Sequence, residues 1–331
     1  MKDQPDGIDE SDVRAALAAW EIDAADLAYA PVGFGDYHWT AKDTTGGRWF
    51  VTLSDLTDKN HCGIGADAAW QGLRRAMDTA VRLKDRDGLG FEDGGFVLAP
   101  LSTADGRSVR RLGERYALSV FPYASGSSGD FGQRLAPSER ARTLETLAAL
   151  HAVHPPAVTR VIPPQLSARE RLEENLAAVA GPWSGGPWSE PAREATIRHA
   201  AGLRRRLDEF DALRAEVSGR GAALVVTHGE PHPGNLLWHR GRQLLLDWDT
   251  VGLAVPERDL WLVADGPDDL ARYEELTGRA PDPSALALYR LRWDLEDVDA
   301  FLGWFRSPHA ATPDLEQAWD GFLDTVRRLA A

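Results

Sequence analysis

The stretch "VVTHGEPHPGNLLWHRGRQLLLDWDTVG", Val225 to Gly252, crowds histidine, glutamate, asparagine and aspartate between short apolar runs. Its apolar lead-in predicts a short strand, which Gly229, Pro231, Pro233 and Gly234 cannot continue. "LLW" and "QLLLDWD" then pair across the turn "HRGR". The outcome is a rigid loop displaying His228, Glu230, His232 and Asn235 beside a strand expected to end at Asp247.

Three chemistries compete for this pattern. A zinc site would use His228 and His232, but Pro231 and Pro233 exclude a helical pair, and Cys62, the single cysteine, is remote in sequence. A turn that merely satisfies its own backbone accounts for one or two polar residues. It does not account for Glu, Asn and Asp together. Phosphoryl transfer uses all three. A carboxylate accepts the proton of an attacking hydroxyl, an amide oxygen five residues on binds Mg²⁺, and a strand-end carboxylate binds the same metal; protein kinases place Asp, Asn and Asp this way. Here Glu230, Asn235 and Asp247 have that spacing, and Mg²⁺ prefers such oxygen ligands.

"THGEPHPGNLL", "LLLDWD" and "PERDLW" together resemble the signature of the aminoglycoside phosphotransferase, or antibiotic kinase, family, and "LAALHAVH" and the order of the lobes match as well. The resemblance implies an α+β, two-lobed protein-kinase-like fold. A β-rich nucleotide-binding lobe would span residues 1–124 and a mostly helical lobe residues 125–331, with the Gly/Ser-rich "FPYASGSSG" between them. It implies ATP or GTP as phosphoryl donor, with Mg²⁺. Asp259 would anchor the catalytic-loop backbone, and His228 would order the loop. Leu237 and Leu246 would floor the base pocket. Gly33 and Gly35 of "GFGD" would approach the phosphates, Phe50 would stack on the base, and the backbone at Pro122 and Tyr123 would face its edge. Glu230 would be the base, with His232 and Asp249 on the acceptor side.

Two departures matter. The family's usual base is Asp, and Glu230 sets the carboxylate one methylene further out. The third strand of a kinase small lobe carries a phosphate-pairing lysine, where "RWFVTL" has Thr52. Lys59, just past that strand, is the first candidate for the replacement cation, weighed against a plain solvated loop lysine; Lys42 is the second.

The remaining sequence frames this reading. With 331 residues, 43% of them apolar, the chain has enough material for one large or two medium domains, and is not a disordered segment. A formal charge of −14 argues against nucleic acid or an anionic membrane as partner and suits a cationic ligand. The single cysteine, the polar start and the lack of a long apolar run fit a cytoplasmic protein, monomer or homodimer. Ser11 is expected to cap a first helix, and Ser138 a later one that stops at Pro155 and Pro156. In "YRLRWDLEDVDAFLGWF", Leu291, Leu295, Val298, Leu302 and Phe305 form a buried stripe. Trp293, Asp294, Glu296 and Asp297 lie on its other faces, where carboxylates beside an indole suit a hydroxylated amine such as an aminoglycoside. The alternatives are a metabolic kinase of choline, homoserine or sugars, and a nucleotide-binding pseudokinase.

Overall fold

A computed structural model describes residues 1–86 and 88–330. They form two compact units, each discontinuous in sequence. The first holds Asp3–Ile162 and Leu224–Pro281; the second holds Pro163–Ala223 and the chain from Asp282 onward. The Gly/Ser-rich stretch after Pro122 lies inside the first unit.

The first unit opens with α1 (Glu10–Leu17). Its cap is Asp9, not Ser11. The Asp9 carboxylate accepts the N–H groups of Ser11 (2.8 Å) and Asp12 (3.1 Å), and the Asp12 carboxylate accepts that of Asp9 (3.0 Å). An ionised acceptor satisfying two of the free amides of the first turn outcompetes a hydroxyl two residues further in. Strands β1 (Asp26–Tyr29), β2 (Asp36–Lys42), β3 (Arg48–Asp55), β4 (Arg110–Leu112) and β5 (Tyr116–Pro122) make one antiparallel sheet in the order β1-β2-β3-β5-β4.

Alternation along β3 sends Val51 and Leu53 into a core with Val13, Leu17, Trp20, Trp39 and Val120. Phe50 lies on the opposite face, against a second core of Leu56, Leu73, Met77 and Phe121. That core is closed by α2 (Ala66–Lys84), whose Ala69, Leu73 and Met77 recur at helical spacing on its buried side.

Helix α3 (Pro137–His151) starts one residue before the expected Ser138 cap. Proline is pre-organised for the first helical position, so Ser138 falls inside, and Glu139 Oε2 accepts the Ala136 N–H at 2.9 Å. The unit is completed by β6 (Val225–Thr227), the hairpin β7 (Leu236–His239) and β8 (Arg242–Leu245), β9 (Gly252–Ala254), α6 (Glu257–Val263) and α7 (Pro267–Thr277). The second unit is helical: α4 (Arg169–Ala178), α5 (Ser189–Gly219), α8 (Pro283–Arg306) and α9 (Pro313–Ala330). In α8, Leu291, Leu295, Val298, Leu302 and Phe305 are all buried. Among the described residues, no helix is long and apolar enough to cross a membrane.

Candidate active site

The polar loop hangs between β6 and β7, and its shape is set from below. Asp259, fully buried on α6, accepts the backbone N–H of His228 on Oδ2 (2.8 Å) and of Gly229 on Oδ1 (2.6 Å). His151 Nε2 reaches the same Oδ2 at 3.0 Å, and the Tyr273 hydroxyl meets His151 Nδ1 at 2.7 Å. Burial would raise the Asp259 carboxyl, but His151 and Arg258 outweigh it and hold it below the ordinary range.

The His228 ring is spent on the loop. Nε2 donates to the Leu246 carbonyl (2.7 Å) and Nδ1 accepts the Glu230 N–H (3.3 Å). These two bonds define one neutral tautomer, and burial lowers the ring's pKa accordingly. Gly229 has φ +104°, and a Cβ there would sit 2.4 Å from the Arg258 guanidinium, which ties the loop to Thr227 and to the Thr250 carbonyl. The position therefore demands glycine.

His232 Nδ1 accepts the Gly234 N–H (3.2 Å), and Asn235 Nδ2 lies 3.1 Å from the Glu230 carbonyl and 3.2 Å from His232 Nε2. With both histidines turned to the loop's own polar groups, the zinc alternative has no ligand pair.

The β7–β8 hairpin turns through Arg240 and Gly241, both at positive φ, as a two-residue loop requires. Strand β8 ends at Leu245, not at Asp247. The ladder stops because the Leu246 N–H is bound to the Asn235 carbonyl (3.0 Å) and Asp247 adopts φ +57°, which Asp tolerates better than most residues. That bond joins the segment bearing Asp247 directly to Asn235. Leu237 is buried and Leu246 half-buried.

Around Asp247 lies a charge cluster that the sequence reading only partly foresaw. One oxygen from each of Asp36, Asp247 and Asp249 lies within 4.8 Å of the others. Asp247 is solvent-exposed, whereas Asp36 and Asp249 are buried. Lys59 is 7% exposed, and its ammonium donates to Asp36 Oδ2 (2.8 Å) and Asp249 Oδ2 (2.6 Å). The solvated-loop reading of Lys59 is thereby overturned, because two buried carboxylates draw it inward. Lys42 ends β2 on the surface.

His61 Nε2 meets the same Asp249 oxygen at 3.0 Å, and the Arg160 guanidinium links the Asp249 carbonyl (3.0 Å) to that of His61 (3.0 Å). Asp249, expected to face the acceptor, is turned instead to Lys59 and His61. Burial would raise its carboxyl, but these two neighbours hold it well below the carboxylate range. Glu230 moves the other way: desolvation, then the charge of Asp249, pushes it up to about 7. Desolvation and the charge of Asp249 also raise Asp247, and the like-charge part is the one a solvent-exposed carboxylate still feels.

On β3, Thr52 faces His38 across the sheet, Oγ1 to Nδ1 at 3.2 Å. Burial lowers His38 to about 3, so the imidazole beside Thr52 is not a cation near neutral pH. Phe50 stacks at a tilt on His38, with 5.0 Å between centroids. Gly33 and Gly35 take φ +70° and +101° between β1 and β2. The Tyr123 N–H is bound to the Arg48 carbonyl (3.3 Å), and Pro122 has no N–H, so neither residue offers a backbone donor to a base.

The α8 residues belong to the second unit. There Asp294 is paired with Arg328 (2.6 Å), and Glu296 with Arg292 (3.0 Å) and Ser167 (3.2 Å), while Trp293 and Asp297 are half-buried. Asp36 and His61 are the residues the sequence reading missed. The aspartate of "GFGD" and the histidine of "KNHC" carry no spacing that ties them to residue 249.

A loop carboxylate, an asparagine five residues later and an aspartate beyond a hairpin, below an antiparallel sheet with a glycine turn, define a kinase-like phosphotransferase. The model of the phosphotransferase enzyme family (APH) matches residues 94–291, more than half of the chain. The chain belongs to that family and is, with it, a small-molecule kinase.

Solved structures of similar fold include spectinomycin phosphotransferase APH(9)-Ia in complex with ADP and spectinomycin. It is 16% identical, with a TM-score of 0.70, and the match covers 98% of each chain. The microcompartment-associated aminopropanol kinase is 14% identical, with a TM-score of 0.62, covering 97% of this chain and 95% of that one. Amicoumacin kinase hAmiN, in complex with AMP-PNP, Ca²⁺ and its ligand, is 13% identical, with a TM-score of 0.54, covering 97% and 94%. No curated protein matches the chain by sequence.

Proposed function

We propose that the protein transfers the γ-phosphoryl group of ATP or GTP to a hydroxyl of a small amine-bearing molecule, an aminoglycoside-like or related antibiotic being the favoured acceptor. The observation that carries this reading is the bond between Leu246 and Asn235, which fixes the Asp247 segment to the loop bearing Glu230. Glu230 accepts the hydroxyl proton. The acceptor oxygen forms its bond to phosphorus as the bond between phosphorus and the bridging oxygen breaks, and the nucleoside diphosphate leaves with that electron pair. With a pKa of about 7, Glu230 is poised between holding and releasing a proton near neutrality.

Asp247 and Asn235 are an oxygen donor set suited to Mg²⁺, with Asp249 within reach. When bound there, Mg²⁺ would neutralise charge on the transferring phosphoryl group. Lys59 supplies the cation that Thr52 cannot, and Gly33 and Gly35 let the backbone approach the phosphates. Phe50, Leu237 and Leu246 line the nucleotide base, with the backbone around Tyr123 at its edge. On the loop, His232 borders the acceptor; on α8, Trp293 and Asp297 are an indole and a carboxylate of the kind that suits an amine, whereas Asp249, Asp294 and Glu296 are taken up by their own partners. The acidic net charge and the named acceptors of two structural neighbours, spectinomycin and amicoumacin, favour an antibiotic. The aminopropanol kinase of similar fold motivates a second acceptor class, amino alcohols. Nucleoside diphosphate release measured against aminocyclitols, aminoglycosides, amino alcohols and sugars decides between them. Stimulation by an aminocyclitol or aminoglycoside alone supports the first class; stimulation only by amino alcohols or sugars replaces it; none across the panel counts against both.

A further inference from the structure

The backbone that carries Lys59 is held without help from its side chain. Asp55, 2% exposed, accepts the Thr57 N–H (3.0 Å) and hydroxyl (2.7 Å) on Oδ1, and Arg115 on Oδ2 (2.7 Å). The Cys62 N–H closes the turn on the Lys59 carbonyl at 2.9 Å. The lysine stem is long and flexible, so the place of the ammonium depends on what it binds. It binds two oxygens, one on Asp36 and one on Asp249.

These two partners are not equivalent. Asp249 Oδ2 is shared with His61, and Asp36 and Asp249 each have an oxygen within 4.8 Å of one on Asp247. Asp249 therefore divides its bonded oxygen between Lys59 and His61. Asp36 is the partner that holds the ammonium from the side of the glycine turn. It directly follows Gly35 and is the first residue of β2, so it ties the glycine turn to the cation. Its second oxygen, Oδ1, is buried without a hydrogen bond of good geometry, although the Ser54 hydroxyl is near, so the carboxylate leans on Lys59.

We propose that Asp36 is a positioning residue for phosphate binding: it clamps the Lys59 ammonium to the glycine turn, so that one loop contact orients both groups toward the nucleotide phosphates. The inference rests on the phosphotransfer reading above, but it can fail while that reading stands.

The test is a double-mutant cycle on the full chain, with Mg·AMP-PNP binding followed by calorimetry. Asp36→Asn and Lys59→Met should each weaken binding about ten- to a hundredfold, the loss expected for one charge-assisted hydrogen bond. The double variant should bind no more weakly than Lys59→Met alone, because Asp36 acts through Lys59. The ³¹P shift of the bound γ-phosphate should move to the same new value in both single variants, which a merely structural defect would not produce. If Asp36→Asn does not fold, Asp36→Glu carries the cycle: the longer carboxylate displaces the ammonium and should weaken binding only when Lys59 is present. Additive losses, or wild-type affinity in Asp36→Asn, overturn the proposal and leave the phosphotransfer reading intact. A wild-type protein that binds no Mg·AMP-PNP overturns both.

Discussion

At the residue scale the site is a set of carboxylates driven apart in acidity by their neighbours. Asp249 is kept ionised by Lys59 and His61, while Glu230 is raised to about 7 by desolvation and by Asp249. This separation is what supports the proposed proton-accepting role of Glu230. Glu230→Gln keeps the shape and removes the charge, so turnover should fall by two to four orders of magnitude, roughly the contribution of general-base help. Affinity for nucleotide, read by calorimetry, should hardly change. The base must be ionised to act, so kcat/KM of the wild type should rise with pH through about 7 and then level. A profile flat from about pH 5 to about pH 8, across the ordinary carboxylate and imidazole range, would move the role elsewhere. Lys59→Ala should lower turnover steeply and Lys42→Ala hardly at all, since only Lys59 reaches the buried aspartates. Wild-type turnover in Lys59→Ala would end the replacement-cation idea. Glu230, Asn235 and Asp247 stand out in the sequence by their spacing. Asp36 does not, because an ion pair between residues far apart in sequence leaves no periodic mark.

At the element scale the loop is rigid because its backbone donors are bound from beneath. Asp259 on α6 holds two successive amides and is itself held by His151. Asp259→Ala leaves those donors and a buried imidazole without their acceptor. It should destabilise the fold by about 3–5 kcal/mol, the cost of breaking a buried pair on one side. A fall in urea midpoint at unchanged m-value would register it; a loss below about 1 kcal/mol, the scale of an exposed ion pair, would contradict the anchoring role. Because the folded-state pKa of Asp259 is lowered, its contribution is full above the unfolded value, about pH 4, and disappears as pH falls through the folded value.

Element boundaries were less legible than the elements. The hairpin, the sheet and the α8 stripe follow from alternation and helical spacing. Ser11 and Ser138 were overridden by local chemistry, the first by an ionised cap at Asp9 and the second by a proline that prefers the first turn. Asp247 reads as the end of a strand, but the left-handed turn that aims it depends on a hydrogen bond to Asn235 that spacing does not announce.

At the scale of the whole molecule the signature motifs lie in one compact unit, although they run from residue 33 to residue 259. The second unit is helical and is assembled from two segments separated by the polar hairpin in sequence. That discontinuity is invisible to composition, because both units use the same ordinary apolar content. The kinase-like fold was legible because its motif string requires a particular order of loop, hairpin and helix. The acceptor was not, because charge and an indole on α8 specify only a class of ligand. The most direct measurement is Mg²⁺-dependent nucleoside diphosphate release, with the best acceptor of the panel, by wild type and Asp247→Ala side by side. Asp247 lies outside regular secondary structure and is solvent-exposed, so its loss should leave the melting temperature nearly unchanged while abolishing Mg²⁺-dependent transfer. Undiminished turnover in Asp247→Ala would contradict the account.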